Sequence, residues 1–134
     1  MSVFVDTSAL YALLDRDDRF HSRAAAAWRE LIESGNRLST SSYVILECFA
    51  LVQRRLGMEA VRALADHLVP LMNAEWIGES EHRVAQAALL SAGRRDVSLV
   101  DYTSFHLMRA GSVRRAFTFD PHFSEQGFTS VPST

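Results

Sequence analysis

Short apolar runs suited to β-strands recur along this chain, and helical spacing fills nearly every interval between them. The runs are Ser2-Val-Phe-Val-Asp6, Arg37-Leu-Ser-Thr40, Glu75-Trp-Ile-Gly78 and Arg115-Ala-Phe-Thr-Phe119, with Phe128 to Val131 as a further edge strand. Strands joined through one or two helices need crossover connections, so they pair in parallel and are covered on both faces. The pattern predicts an α/β fold with a central, mainly parallel sheet of four to five strands and helices on both faces. In such sheets ligands collect beyond the carboxyl ends of the central strands.

The helices carry their own punctuation. Thr7-Ser8 opens a helix through Ala9, Leu10, Leu13 and Leu14, and an alanine-rich helix over Phe20 to Ser34 closes at Gly35. Ser41 and Ser42 are hydroxyl caps for a helix over Tyr43 to Leu56 that stops at Gly57. Glu59 to Leu68 forms the next, with Pro70 disturbing its last turn. Ser80 to Ala92 and Ser98 to Ala110 end at Gly93 and Gly111, both in the position of a left-handed cap. No repeat, low-complexity tract or Pro/Gly-rich linker interrupts the chain, so residues 1–134 read as one domain.

Composition removes several chemistries. All 14 basic residues are arginine, which excludes Schiff-base catalysis and the lysine of a phosphate-binding P-loop, whose glycine pattern is also missing. The single Cys48 excludes an internal disulfide and a cysteine-ligated zinc site, and fits a reducing cytoplasm. The longest stretch free of Asp, Glu, Lys and Arg is Val84 to Gly93, ten residues, about half of the ~20 a membrane helix requires. No membrane association is expected. An export signal is not expected either, because a basic leader is lacking and Asp6 interrupts the first apolar run. The formal net charge of -2 at first argues against a nucleic-acid partner.

Four acids stand out by position. Asp6 and Asp120 end apolar strands just before helices, and if those strands are neighbours their ends lie about 4.8 Å apart, close enough to share one cation. Asp101 follows Ser98 by three, in a capping-box spacing. Glu47 sits in an apolar stretch of helix, where a carboxylate costs several kcal/mol unless it meets Arg54, Arg55 or a metal. Oxygen ligands without histidine or cysteine select a hard cation, Mg²⁺ or Mn²⁺, and a carboxylate-held cation with open positions suits phosphoryl chemistry. Thr7, Ser8 and Ser98 flank these acids and can orient a carboxylate, a water or a phosphate oxygen. The five histidines show no metal-ligand spacing and read as surface or packing residues, with His122 alone near the site. Trp28, Trp76 and the eight Phe, at apolar-periodic positions, read as core.

Four segments in order, Val5-Asp6-Thr7-Ser8-Ala9-Leu10, Thr40-Ser41-Ser42-Tyr43 leading to Glu47, Ser98-Leu-Val-Asp101-Tyr-Thr-Ser104-Phe105, and Phe117-Thr-Phe-Asp120-Pro-His-Phe123, resemble the PIN-domain ribonucleases, particularly VapC-type toxins of toxin–antitoxin pairs. The resemblance spans essentially the whole chain. It implies a PIN-like fold and an endoribonuclease dependent on Mg²⁺ or Mn²⁺, with Asp6, Glu47, Asp101 and Asp120 as the acidic metal-binding quartet. Thr7 or Ser8, and Ser98, match hydroxyls often found beside that quartet, while Asp96 is kept outside it. The implied partners are an RNA substrate, a cognate antitoxin and a second copy in a homodimer. Arg94-Arg95 and Arg114-Arg115 are the arginine pairs expected to grip flanking phosphates.

Two other readings compete. A catalytically silent PIN-like module that binds RNA or protein would usually lack an acid, and all four are present. A phosphatase of the haloacid dehalogenase type would want a second Asp two residues after the first, where Ser8 stands, and a lysine this chain does not have. Setting four of the sixteen acids aside as cation ligands leaves twelve against fourteen arginines, so the net charge does not oppose an RNA substrate.

Overall fold

Val3, Phe4 and Val5 are consecutive in one strand and all three are buried, so both faces of that strand are covered. This strand, β1 (Ser2–Val5), is the middle of the sheet in the computed structural model, which describes residues 1–133. With β2 (Arg37–Ser41), β3 (Asn73–Glu75), β4 (Arg115–Phe117) and β5 (Thr129–Val131) it forms a five-stranded, all-parallel sheet in the order β3-β2-β1-β4-β5. Seven α-helices connect the strands: α1 (Thr7–Leu14), α2 (His21–Glu33), α3 (Ser42–Leu56), α4 (Met58–Ala63), α5 (Glu79–Ala92), α6 (Leu99–Ala110) and α7 (His122–Glu125). The predicted α/β architecture, a parallel sheet whose strands are joined through helices, is present.

The order of the strands explains where a site can form. From β1 the chain steps outward through β2 to β3, then crosses to β4 on the other flank of β1 and steps outward again to β5. The connections leaving the carboxyl ends of β1 and β4 therefore diverge, and a crevice opens between them. Val5 pairs with Phe117, and the Asp6 amide donates to the Phe117 carbonyl (3.0 Å), which carries the alignment one residue past the strand.

Local chemistry sets the helix ends. Ser41 Oγ accepts from the Val44 amide at 3.1 Å to cap α3. Ser98 and Asp101 form the anticipated capping box, with Ser98 Oγ accepting from the Asp101 amide (3.1 Å) and Asp101 Oδ2 from the Ser98 amide (2.9 Å). Gly93 takes the left-handed conformation (φ 64°) expected after α5. Gly111 does not: its φ is -93°, and Ser112 adopts the positive φ of 55°. Space at 111 is tight, since a Cβ there would lie 3.3 Å from the Leu107 carbonyl oxygen.

The third strand also departs from expectation. It is Asn73–Glu75, and the Trp76-Ile77-Gly78 segment lies outside the sheet, with the Ile77 amide donating to Ser42 Oγ at 2.9 Å. Trp76 is not core; it is 78% exposed. An apolar pair next to an edge strand mimics strand periodicity, but a sheet edge offers only one neighbour to hold it. Trp28 is partly buried and stacks near Phe117, with ring centroids 5.8 Å apart. After α4 the helical path continues through a wide turn over Leu64–Leu68 and a tight one over Val69–Leu71, where Pro70 lacks the amide a regular helix would use. Among the described residues no helix is long and apolar enough to cross a membrane.

Phe105 on α6 ties the last elements to the core. Its ring is fully buried, with centroids 5.0 Å from Phe123 of α7 and 5.9 Å from Phe128 ahead of β5. Phe105→Ala therefore leaves a cavity beneath both and lowers the unfolding free energy by about 3–5 kcal/mol, which urea denaturation will measure.

Candidate active site

The crevice beyond β1 and β4 is a cavity of about 270 Å³ lined by Asp6, Glu47, Asp101 and Asp120 together with Thr7, Ser8, Ser98 and Leu51. All seven side chains singled out in the sequence thus meet in one place. β1 and β4 deliver Asp6 and Asp120, α3 delivers Glu47 from the middle of its length, and the first turn of α6 delivers Asp101. A larger cavity of about 650 Å³ opens at the amino ends of the strands, but its lining holds only Glu30 and Arg115 among charged side chains.

Asp6 is buried, and its orientation is set by two hydroxyls. Ser8 Oγ donates to Oδ2 at 2.7 Å and Thr118 Oγ1 donates to the same oxygen at 2.8 Å. Each hydroxyl has one proton to give, so their mutual approach of 3.2 Å is a contact rather than a further bond. As acceptors they hold the other strand end: the Phe119 amide donates to Ser8 Oγ (2.9 Å) and the Asp120 amide to Thr118 Oγ1 (3.0 Å). Asp6 Oδ1 accepts no hydrogen bond among the described residues. Thr118 was missed in the sequence because it lies inside an apolar strand pattern; its only signal is its place two residues before Asp120.

Electrostatics make this group of acids costly to keep charged. Burial pushes the Asp6 carboxyl up to about 7; the Ser8 and Thr118 bonds oppose that, and the Asp101 and Asp120 charges add to it. Asp101 is raised as well, mainly by burial and then by Asp120, against the bond from the Ser98 amide. No arginine lines the cavity. Glu47 is half-buried and makes no ion pair with Arg54 or Arg55 among the described residues; Arg55 instead lies over the Tyr11 ring at 5.6 Å. Thr7 Oγ1 is buried without a hydrogen-bond partner among the described residues. Carboxylates without an arginine partner and an orphaned hydroxyl make a donor set that fits a divalent metal.

The sequence also understated His122. Its Nδ1 lies 2.7 Å from Asp120 Oδ1 and its Nε2 lies 3.3 Å from Asp96 Oδ2. Asp101, Asp120 and His122 each offer a ligand atom, all within 4.8 Å of one another. Burial alone would lower the imidazole's pKa, but Asp120, Asp96 and Glu125 outweigh it and raise the group above its ordinary value. Asp96, the acid left outside the quartet, is held by Arg94 through two bonds of 3.1 and 2.8 Å, and Arg94 also reaches Glu125 at 3.1 Å. Hydrogen bonds from Arg94 pull the Asp96 carboxyl down to about 2.

Arg94 is therefore already engaged, and Arg114-Arg115 sit at the amino end of β4, the opposite end from the cavity. Neither pair stands free beside the acids as anticipated, apart from exposed Arg95. Two further arginines lie on the aromatic stack that ends at Phe119, the residue before Asp120: Arg19 lies 4.5 Å over Phe20, Phe20 stacks on Phe119 with centroids 4.6 Å apart, and Arg23 lies 5.7 Å over Phe119 while donating to the Ser133 carbonyl at 2.9 Å. Cys48 is no nucleophile, since burial pushes its thiol up to about 12.

Comparison with known proteins finds relatives along nearly the whole chain. The family model for the PIN domain matches residues 3–128. The 23S rRNA-specific endonuclease VapC20 of Mycobacterium tuberculosis is 34% identical over 130 residues, covering 96% of this chain and 97% of that protein. The crystal structure of VapC20, described as a Sarcin-Ricin loop cleaving toxin, superposes with a TM-score of 0.83 at 32% identity over 95% of this chain and 96% of that one. VapBC2 from Rickettsia felis, bound to a DNA fragment from its promoter, shares the fold with a TM-score of 0.69 at 13% identity over 93% and 92% of the two chains.

The raised Asp6 pKa has a direct consequence for the metal-free protein. Between about pH 4 and 7 the folded state holds a proton that the unfolded chain releases, so stability falls as pH rises through that window. Asp6→Asn removes this component. In EDTA at pH 8 the variant is expected to be more stable than the parent by up to about 4 kcal/mol, and its stability changes less between pH 4 and 8, as followed by urea unfolding.

Proposed function

The chain belongs to the PIN-domain family, and on that premise we propose that it is an endoribonuclease dependent on Mg²⁺ or Mn²⁺, the toxin of a toxin–antitoxin pair. Four carboxylates sharing one cavity with no arginine in its lining support this reading above all. The identity to VapC20 across nearly the whole length supports an RNA substrate and makes 23S rRNA the first to test.

The residues divide the work. Asp6, Glu47, Asp101 and Asp120 would hold the cation, which when bound offsets phosphate charge and acidifies water. Ser8 and Thr118 keep Asp6 aimed by occupying one of its oxygens and leaving the other to the cavity. The capping box holds Asp101 Oδ2 and ties the carboxylate to the first turn of α6. Thr7 Oγ1, buried and without a partner among the described residues, would donate to an oxygen atom that enters the cavity. Arg19 and Arg23, ordered by their contact with Phe20 and Phe119, would bind phosphates flanking the scissile bond.

A toxin of this kind needs an inhibitor, so a cognate antitoxin and a homodimer complete the proposal, with the RNA encountered in the cytoplasm. The catalytically silent module is less favoured because none of the four acids is missing or turned away from the cavity. Asp6→Asn and Asp101→Asn are each expected to reduce Mn²⁺-dependent cleavage of 23S rRNA at least about 100-fold with the circular dichroism spectrum unchanged. Parent protein that binds RNA with Mn²⁺ present and does not cut it would establish the silent module instead.

A further inference from the structure

His122 has two ring nitrogens with different surroundings. Nε2 faces Asp96, a carboxylate that the two-bond contact with Arg94 keeps charged and in place. A carboxylate beside Nε2, with Nδ1 turned to the other side of the ring, is the arrangement that commonly orients a metal-ligating histidine. Nδ1 is buried and has no hydrogen-bond partner, although Asp120 Oδ1 is only 2.7 Å away, because the two atoms are not aligned for N–H···O bonding. Asp120 Oδ1 already accepts the His122 backbone amide at 2.9 Å. An approach of 2.7 Å between these atoms is stabilised when one positive charge serves both. Two neighbouring ligands on a cation with bonds of about 2.1 Å stand roughly 3 Å apart, near the separation seen here.

We propose that His122 is a metal ligand through Nδ1, joining Asp101 and Asp120, and that this nitrogen makes the site select Mn²⁺ over Mg²⁺. The proposal rests on the reading of the cavity as a cation site and adds a ligand of a different chemical type. Mg²⁺ favours oxygen ligands and gives up its water reluctantly, whereas a transition-metal ion such as Mn²⁺ accepts imidazole more readily. Arg94 and Asp96 act through His122, as the pair that fixes its tautomer and ring orientation.

Mn²⁺ titration of the metal-free full chain, followed by electron paramagnetic resonance, tests this directly. Pulsed spectra of the parent protein are expected to show coupling of Mn²⁺ to an imidazole ¹⁴N, which His122→Ala abolishes. The same substitution is expected to weaken Mn²⁺ binding at least about 10-fold while Mg²⁺ affinity, read by competition, changes much less, so the preference between the ions falls. Stoichiometric Mn²⁺ binding by the parent without nitrogen coupling would overturn the role of His122 and leave the carboxylate site standing. Coupling that persists in His122→Ala assigns the nitrogen elsewhere and also overturns it. Failure of the parent to bind Mn²⁺ at all would remove both readings. The parent spectrum decides the first question without reliance on the folding of any variant.

Discussion

The parallel pairing of β1 with β4 is the contact on which the rest of this molecule depends. It joins residues more than a hundred positions apart in sequence, and it places the ends of two strands side by side at the point where the connections diverge. The hydrogen-bonded knot of Asp6, Ser8 and Thr118 then extends the pairing beyond the strands, because the same two hydroxyls that donate to Asp6 accept the amides of Phe119 and Asp120. Two acids are thereby set in a common frame by backbone geometry rather than by flexible side chains alone.

That frame holds charges that oppose one another. Asp6 is buried, Asp101 and Asp120 lie near enough to raise its pKa, and no arginine lines the cavity to relieve them. Folding therefore tolerates a local electrostatic penalty at the site and offsets it with apolar packing elsewhere, around Phe105, Phe117, Phe123 and the buried Val3, Phe4 and Val5 of β1. Such strain between stability and function is common where a site must receive its counter-charge from a ligand. Arginine is abundant in the chain yet is spent outside the cavity, on Asp96 and Glu125 or on aromatic rings. The overall charge of -2 is thus a poor guide to the local field.

Legibility followed the range of the interaction. Helix ends marked by Ser41, Ser98 and Gly93 were readable because capping is decided within a few residues. The alternation of strands and helices was readable because crossover geometry restricts parallel sheets. Trp76 departs from expectation because its burial depends on which edge of the sheet it meets, and Gly111 because the left-handed conformation falls one residue later, on Ser112. Thr118 escaped because its partner Asp6 lies 112 residues away, and His122 because, beside its near neighbour Asp120, it meets Asp96 from a separate segment 26 residues earlier.

By itself the sequence determined the class of fold, the order of its elements and the identity of the acids able to act together, since periodicity and caps are local and each acid stood at an element end or in an apolar setting that required a partner. Only the tertiary structure decided that these acids share one cavity without an arginine, that Ser8 and Thr118 aim Asp6, and that an imidazole stands among the carboxylates. Those facts rest on strand order and register. Strand order and register arise from the simultaneous burial of apolar faces along the whole chain, which no short stretch of residues contains.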